Sequence, residues 1–192
     1  MNRWVMPAIA RLLLLLVAGT LSGCASSGES FIHPNMDFGH VQRCAILPFQ
    51  NLCSDDLADE RLQSIFLMEV LKKERLEIID PGETLSGMLV QRLSPGKELT
   101  PQQGVALGKE LGVDAIFFGV VEEYGINTAD RKMGPEITLV LGMMETETGT
   151  TIWRSQVHKT GMSIWNRLFG GSPASLYDVS RNAVRQALKS LF

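Results

Sequence analysis

The chain has 192 residues, 45% of them hydrophobic and 20% charged, and its 18 basic and 21 acidic side chains give a formal net charge of −3. That length suits one domain with a proper core. An acidic balance with no block of like charges speaks against a nucleic-acid binder and against an electrostatic tail.

The most apolar run, Leu12 to Ala18, is far shorter than the roughly 20 residues a bilayer-crossing helix needs, and Gly19, Thr20, Ser22 and Gly23 dilute the stretch after it. Arg3 and Arg11 lie at its N-terminal side, and no acidic residue comes before Glu29. A basic start, a short apolar middle and small residues at the end predict a secretory signal peptide over residues 1–23. Leu21-Ser22-Gly23-Cys24 resembles the lipobox of bacterial lipoproteins. The resemblance implies cleavage before Cys24, acylation of its thiol (palmitate among the acyl chains) and a mature chain held to the membrane by lipid. Ala25 and Ser26 lack the Asp that retains lipoproteins in the inner membrane in enterobacterial-type sorting, so the same resemblance implies the outer membrane, facing the periplasm. Cleavage would remove two basic residues and leave 169 residues with a net charge of −5. Residues 24–38 contain Ser and Gly without periodicity and are predicted to be a lipidated tether. Its stretch from Ala25 to Asp37 spans at most about 45 Å when extended.

The folded domain is expected over 39–192. Val41 to Phe49 is apolar at nearly every position from Cys44 on, as in a central strand covered on both faces. Ser54-Asp55-Asp56 offers N-cap side chains for a helix in which Leu62, Ile65, Phe66 and Val70 recur at helical spacing. A short strand, Leu76 to Ile79, comes next. Asp80-Pro81-Gly82-Glu83 opens a second helix through Leu85, Met88, Leu89 and Leu93, broken by Ser94-Pro95-Gly96. Thr100-Pro101-Gln102-Gln103 repeats that start for a third helix, which stops at Leu111-Gly112. Ala115 to Val121, Glu136 to Glu145 and Thr150 to Val157 are strands, the last two joined by the turn Thr146-Glu147-Thr148-Gly149. A final amphipathic helix over about 175–191 puts Val179, Ala183, Val184, Ala187, Leu188 and Leu191 on one face. The order β-α-β-α-α-β-β-β-α predicts a single α/β domain with a mixed sheet. Cys44 and Cys53 would share an oxidising compartment. Five residues of extended chain beyond Cys44 carry the backbone about 17 Å, against the about 7 Å a disulfide allows. Two free thiols are expected, with Cys44 buried.

Three stretches resemble a known family. "CAILPFQN" is similar to the first strand of the curli-secretion lipoprotein CsgG and its relatives, and so are "ALGKELGVDAIFFGVVEEY" and the hairpin "METETGTTIW". The fold so implied is shared with the peptidoglycan-synthase activator LpoB and the N-terminal domain of TolB, and the resemblance spans residues 41–192. The chain departs from CsgG where that protein forms its pore. A membrane-spanning hairpin takes roughly 20 residues or more, whereas Gly125 to Pro135 is short and carries Asp130, Arg131 and Lys132. It departs from LpoB in the shortness of its tether.

No catalytic constellation is visible. His33, His40 and His158 do not cluster with metal ligands in the sequence and read as surface residues. Gly104 to Glu110 is one residue short of a phosphate loop and lies inside a helix. Gly161-Met162-Ser163-Ile164-Trp165 lacks the second glycine of a nucleophile elbow. Strand alternation sends Glu122 and Glu123 to opposite faces, and Glu69 reads as a solvated helix edge. One segment stands out: Ile164, Trp165, Leu168 and Phe169 share a helical face in the loop before the last helix. Either this turn packs on its own sheet or it contacts a partner or membrane surface; it occupies the position of the second inserted hairpin of CsgG.

The sequence therefore predicts a non-catalytic, lipid-anchored periplasmic adaptor in cell-envelope assembly, transport or wall maintenance. It would need no cofactor or metal, bind no nucleic acid, and meet the membrane through its lipid and an envelope protein as partner. The alternative is a subunit of an oligomeric CsgG-like secretion channel; a homo-oligomer is left open.

Overall fold

The computed structural model describes residues 28–34, 38–127, 134–162, 169 and 171–192. Its strands are β1 (Gly28–Ile32), β2 (Arg43–Ile46), β3 (Gln50–Asn51), β4 (Glu77–Ile78), β5 (Ala115–Asn127), β6 (Gly134–Glu145) and β7 (Thr151–Thr160). Its α-helices are α1 (Ala58–Leu71), α2 (Pro81–Val90), α3 (Pro101–Leu111) and α4 (Leu176–Leu188). They form one mixed sheet in the order β1-β7-β6-β5-β2-β4, with β3 also pairing β5. β2 runs parallel to β4 and β5, while β5, β6, β7 and β1 are successively antiparallel. The expected order holds from β2 onward.

Each face of the sheet has its own core. Leu62, Phe66 and Val70 of α1 and Val179, Ala183, Val184, Ala187 and Leu188 of α4 cover Phe117, Val121, Leu139, Leu141, Trp153 and Val157. Trp153 is fully buried there, edge-on to Phe117 at 6.4 Å, and its indole donates to Ser190 Oγ at 2.9 Å. Met88, Leu107 and Leu111, from α2 and α3, cover Ala45, Leu47 and Ile116 on the other face. That second layer lies over the β2 side of the sheet, and farther out the same face of β6 and β7 carries Thr138, Gln156 and His158.

The three motif stretches quoted above hold the sheet and its turns in register. Gly112 takes the left-handed conformation (φ 60°) that closes α3. Asp114 Oδ2 then accepts from the backbone N–H groups of Gln42 and Arg43, at 2.9 and 2.8 Å, and so fixes the start of β2 against β5. These bonds, the one from Arg43 foremost, hold its carboxyl below its ordinary pKa against the opposing effect of burial. In the β6–β7 turn, Glu145 Oε2 accepts from Thr148 N and Oγ1, and Thr146 Oγ1 donates to Val113 O at 2.6 Å.

Several expectations are corrected. Part of the predicted tether, Gly28–Ile32, is an edge strand on β7; all five residues are exposed, so no apolar alternation marks it. The first central strand ends at Ile46, because Pro48 has no N–H to donate, and pairing resumes at Gln50. α1 begins at Ala58, two residues beyond the expected cap; Asp55 Oδ1 instead accepts from Leu57 N in a local turn. Leu85 and Leu89 of α2 point outward, since the buried face is formed by Thr84, Gly87 and Met88. Glu69 is buried (6% exposed) between Arg185 Nε of α4 at 2.9 Å and Lys72 Nζ at 2.8 Å. Burial pushes the Glu69 carboxyl up, but the bonds and charges of Arg185 and Lys72 outweigh it, and the net shift is downward. As expected, by contrast, Cys44 and Cys53 are free and Cys44 is buried; burial, helped by the Asp114 charge, pushes the Cys44 thiol up to about 12.

Candidate functional site

One end of the sheet gathers the features that set this domain apart from its own core. β1 is antiparallel to β7, with Gly28 opposite Val157, so the chain enters the fold at the end where β5 and β7 finish and β6 begins. Ile126, on the last turn of pairing opposite Pro135, is 65% exposed. Gly161 N donates to Pro135 O at 2.7 Å and Ala174 N to Gly161 O at 2.9 Å. These two bonds pin both ends of the loop between β7 and α4, and Ser175 then caps α4 through Asp178 N. Phe169, within that loop, is 75% exposed. Of the four residues singled out there, Ile164, Trp165 and Leu168 lie outside the described residues, as does Cys24.

A second group sits on the same stretch of sheet. A bulge after Val121 breaks the strand alternation, so that Glu123 pairs with Thr138, which in turn pairs with His158. Glu122 instead accepts from Gln156 Nε2 at 3.1 Å. Thr138 Oγ1 donates to Glu123 Oε2 at 2.5 Å and lies 3.0 Å from His158 Nδ1. His158 Nε2 is 3.4 Å from Glu136 Oε1. One donor atom from each of Glu123, Glu136 and His158 lies within 4.8 Å of the other two. The sequence conceals this group, because the three residues come from three strands and a bulge is needed to align the first. Earlier in the chain, neither of the other histidines joins such a group: among the described residues it is the one set of three or more potential metal ligands.

The group is a poor candidate for nucleophilic catalysis. Thr138, whose hydroxyl would be the nucleophile, is only 9% exposed, which leaves a substrate little room to approach it. Two grooves flank the core. One, of about 740 Å³, is walled by Phe38, Val41, Leu76, Met143 and Phe192. The other, of about 550 Å³, is walled by Leu47, Leu99, Ile116, Phe118 and Met144. Polar side chains complete both walls: Gln42, Glu74, Arg75 and Glu77 in the first, and Glu98, Thr148, Thr150 and Thr151 in the second.

No protein-family model matches the chain, and no curated protein matches it in sequence. Solved structures do. The chain is similar to PelC from Paraburkholderia phytofirmans, solved as a dodecamer, with a TM-score of 0.61 at 13% identity over 86% of this chain and 96% of that one. It is also similar to the lipoprotein GNA1162 from Neisseria meningitidis, with a TM-score of 0.53 at 13% identity over 78% and 99% of the two chains. The C-terminal domain of LpoB from Escherichia coli aligns over 75% of this chain and 92% of its own at 12% identity, with a TM-score of 0.46. At these identities the likeness to PelC and GNA1162 is one of fold. The resemblance to CsgG and TolB is carried by the quoted motifs alone.

Proposed function

We propose that this protein is a lipid-anchored envelope lipoprotein whose folded domain is a non-catalytic adaptor at the periplasmic face of the outer membrane. The observation that carries the reading is the position of β1. Cys24 precedes Gly28 by four residues, which span at most about 14 Å. A lipid on Cys24 therefore holds the β1 entry, Ile126 and the Phe169 loop close to the bilayer, and leaves the opposite end of the sheet for an envelope partner. The fold of GNA1162, itself named a lipoprotein, agrees with the reading. Replacing Cys24 by Ser should release the protein from membranes or leave it unprocessed; a correctly cleaved variant that still sediments with outer membranes overturns the proposal.

A homo-oligomer is the second reading. It is favoured by the fold shared with the dodecameric PelC and by the outward apolar residues Leu85, Leu89 and Val90 of α2. Sizing in detergent tests it: a ring that loses its size when Leu89 is changed to Asp supports it, and a monomer excludes it. A channel has less support, since only residues 128–133 separate β5 from β6.

A further inference from the structure

We propose that Glu123, Glu136 and His158 form a site for a divalent transition-metal cation of the zinc class. The proposal does not depend on lipid anchoring. The Thr138 hydroxyl has a single proton and gives it to Glu123 Oε2 at 2.5 Å. Thr138 Oγ1 is also 3.0 Å from His158 Nδ1; with its proton given away it accepts there, and Nδ1 is the ring nitrogen that carries the hydrogen. Nε2 then presents a lone pair toward Glu136 Oε1, 3.4 Å away. Two acceptors that far apart can share one species between them, a bridging water or a metal ion.

Geometry and donor chemistry favour the metal. Bonds of about 2.1 Å to nitrogen and oxygen in a tetrahedral site place neighbouring donors about 3.4 Å apart, the separation found between Nε2 and Glu136 Oε1. Glu123 Oε2 lies on the Nδ1 side of the ring, 3.7 Å from that nitrogen, and holds the Thr138 hydroxyl, so the Glu123 carboxylate, its side chain 59% exposed, turns its other oxygen to reach an ion on Nε2. One imidazole and two carboxylates suit zinc, and Thr138, by fixing the tautomer, acts as the outer hydrogen-bond partner that metal-bound histidines usually have. His158 is half-exposed, which leaves a fourth position for water or a donor from a partner. Such an ion would tie β5, β6 and β7 together beside the proposed membrane-facing end.

The test uses the full chain in detergent, carrying Cys53→Ser to remove the partly exposed thiol, stripped with a chelator and titrated with ZnCl2 by calorimetry and with CoCl2 by visible absorption. One equivalent should bind saturably. His158→Gln and Glu136→Gln should each weaken binding by at least about tenfold, while His40→Gln leaves it unchanged. Glu123→Gln, at an exposed position, supplies the same comparison if either of the others fails to fold. The absence of a one-equivalent site overturns the proposal. Binding that survives both His158→Gln and Glu123→Gln also overturns it.

Discussion

Phe169→Ala separates the two roles open to the loop before α4. A phenylalanine presents about 200 Å², and at 75% exposure roughly 150 Å² of Phe169 remains in contact with water. At about 25 cal/mol per Å², full transfer of that area into an apolar phase contributes about 4 kcal/mol. Half-insertion contributes about 2 kcal/mol, a factor of about 30 in affinity. The quarter of the ring already covered corresponds to about 1 kcal/mol of folding stability, or a melting shift of about 2–4 °C for a domain of this size. To keep the lipid from masking the effect, the variant is made in a chain without residues 1–23 and with Cys24→Ser. Co-flotation with vesicles of outer-membrane phospholipid is measured alongside a thermal melt. The expected result is flotation weakened by about 30-fold with a melting temperature within about 4 °C of the parent. Unchanged flotation together with a fall of about 10 °C would mean that Phe169 packs on its own domain, and the contact-surface reasoning fails.

Other predictions concern the fold. Because the Glu69 carboxyl is held below its ordinary value, its stabilisation is present above the unfolded pKa of about 4.3 and is lost as pH falls through the folded value. Glu69→Gln should therefore flatten the dependence of urea stability on pH in the range below about 5, and an unchanged slope refutes the role of the pair with Arg185. Gly149 has φ +74°, and an added Cβ would stand 2.5 Å from Pro101 O, so Gly149→Ala should cost more than about 1 kcal/mol in denaturant titration; a neutral result contradicts the close approach of the turn to α3. In native protein Cys53 should react with a thiol reagent while Cys44, buried and pushed up to about 12, reacts only on unfolding. Two equally fast thiols would place Cys44 outside the core.

The range of each interaction decides whether the sequence reveals it. Caps and periodic faces are local, so the Thr100–Gln103 capping box, the Asp80–Pro81 helix start and the buried stripe of α4 are legible residue by residue. Free thiols are legible from the chain length between Cys44 and Cys53. β1 is hidden because its pairing is supplied by β7, more than a hundred residues away, and its own side chains are all exposed. The burial of Glu69 is hidden for a similar reason: helical spacing shows its apolar neighbours, but Arg185 comes from the far end of the chain. The Glu123–Glu136–His158 group needs both the register of three strands and a bulge, neither of which spacing reveals. The exposure of Leu89 shows the converse, an apolar helical position that none of the described residues covers.

The central claim is that Cys24 carries the lipid that seats this domain on the outer membrane. Mass spectrometry of the N-terminal peptide, taken from protein isolated with purified outer membranes, tests it most directly. The account predicts a chain beginning at Cys24 with its mass raised by a diacylglyceryl group and a further acyl chain. A peptide that begins elsewhere, an unmodified Cys24, or recovery of the protein with inner-membrane markers would contradict it.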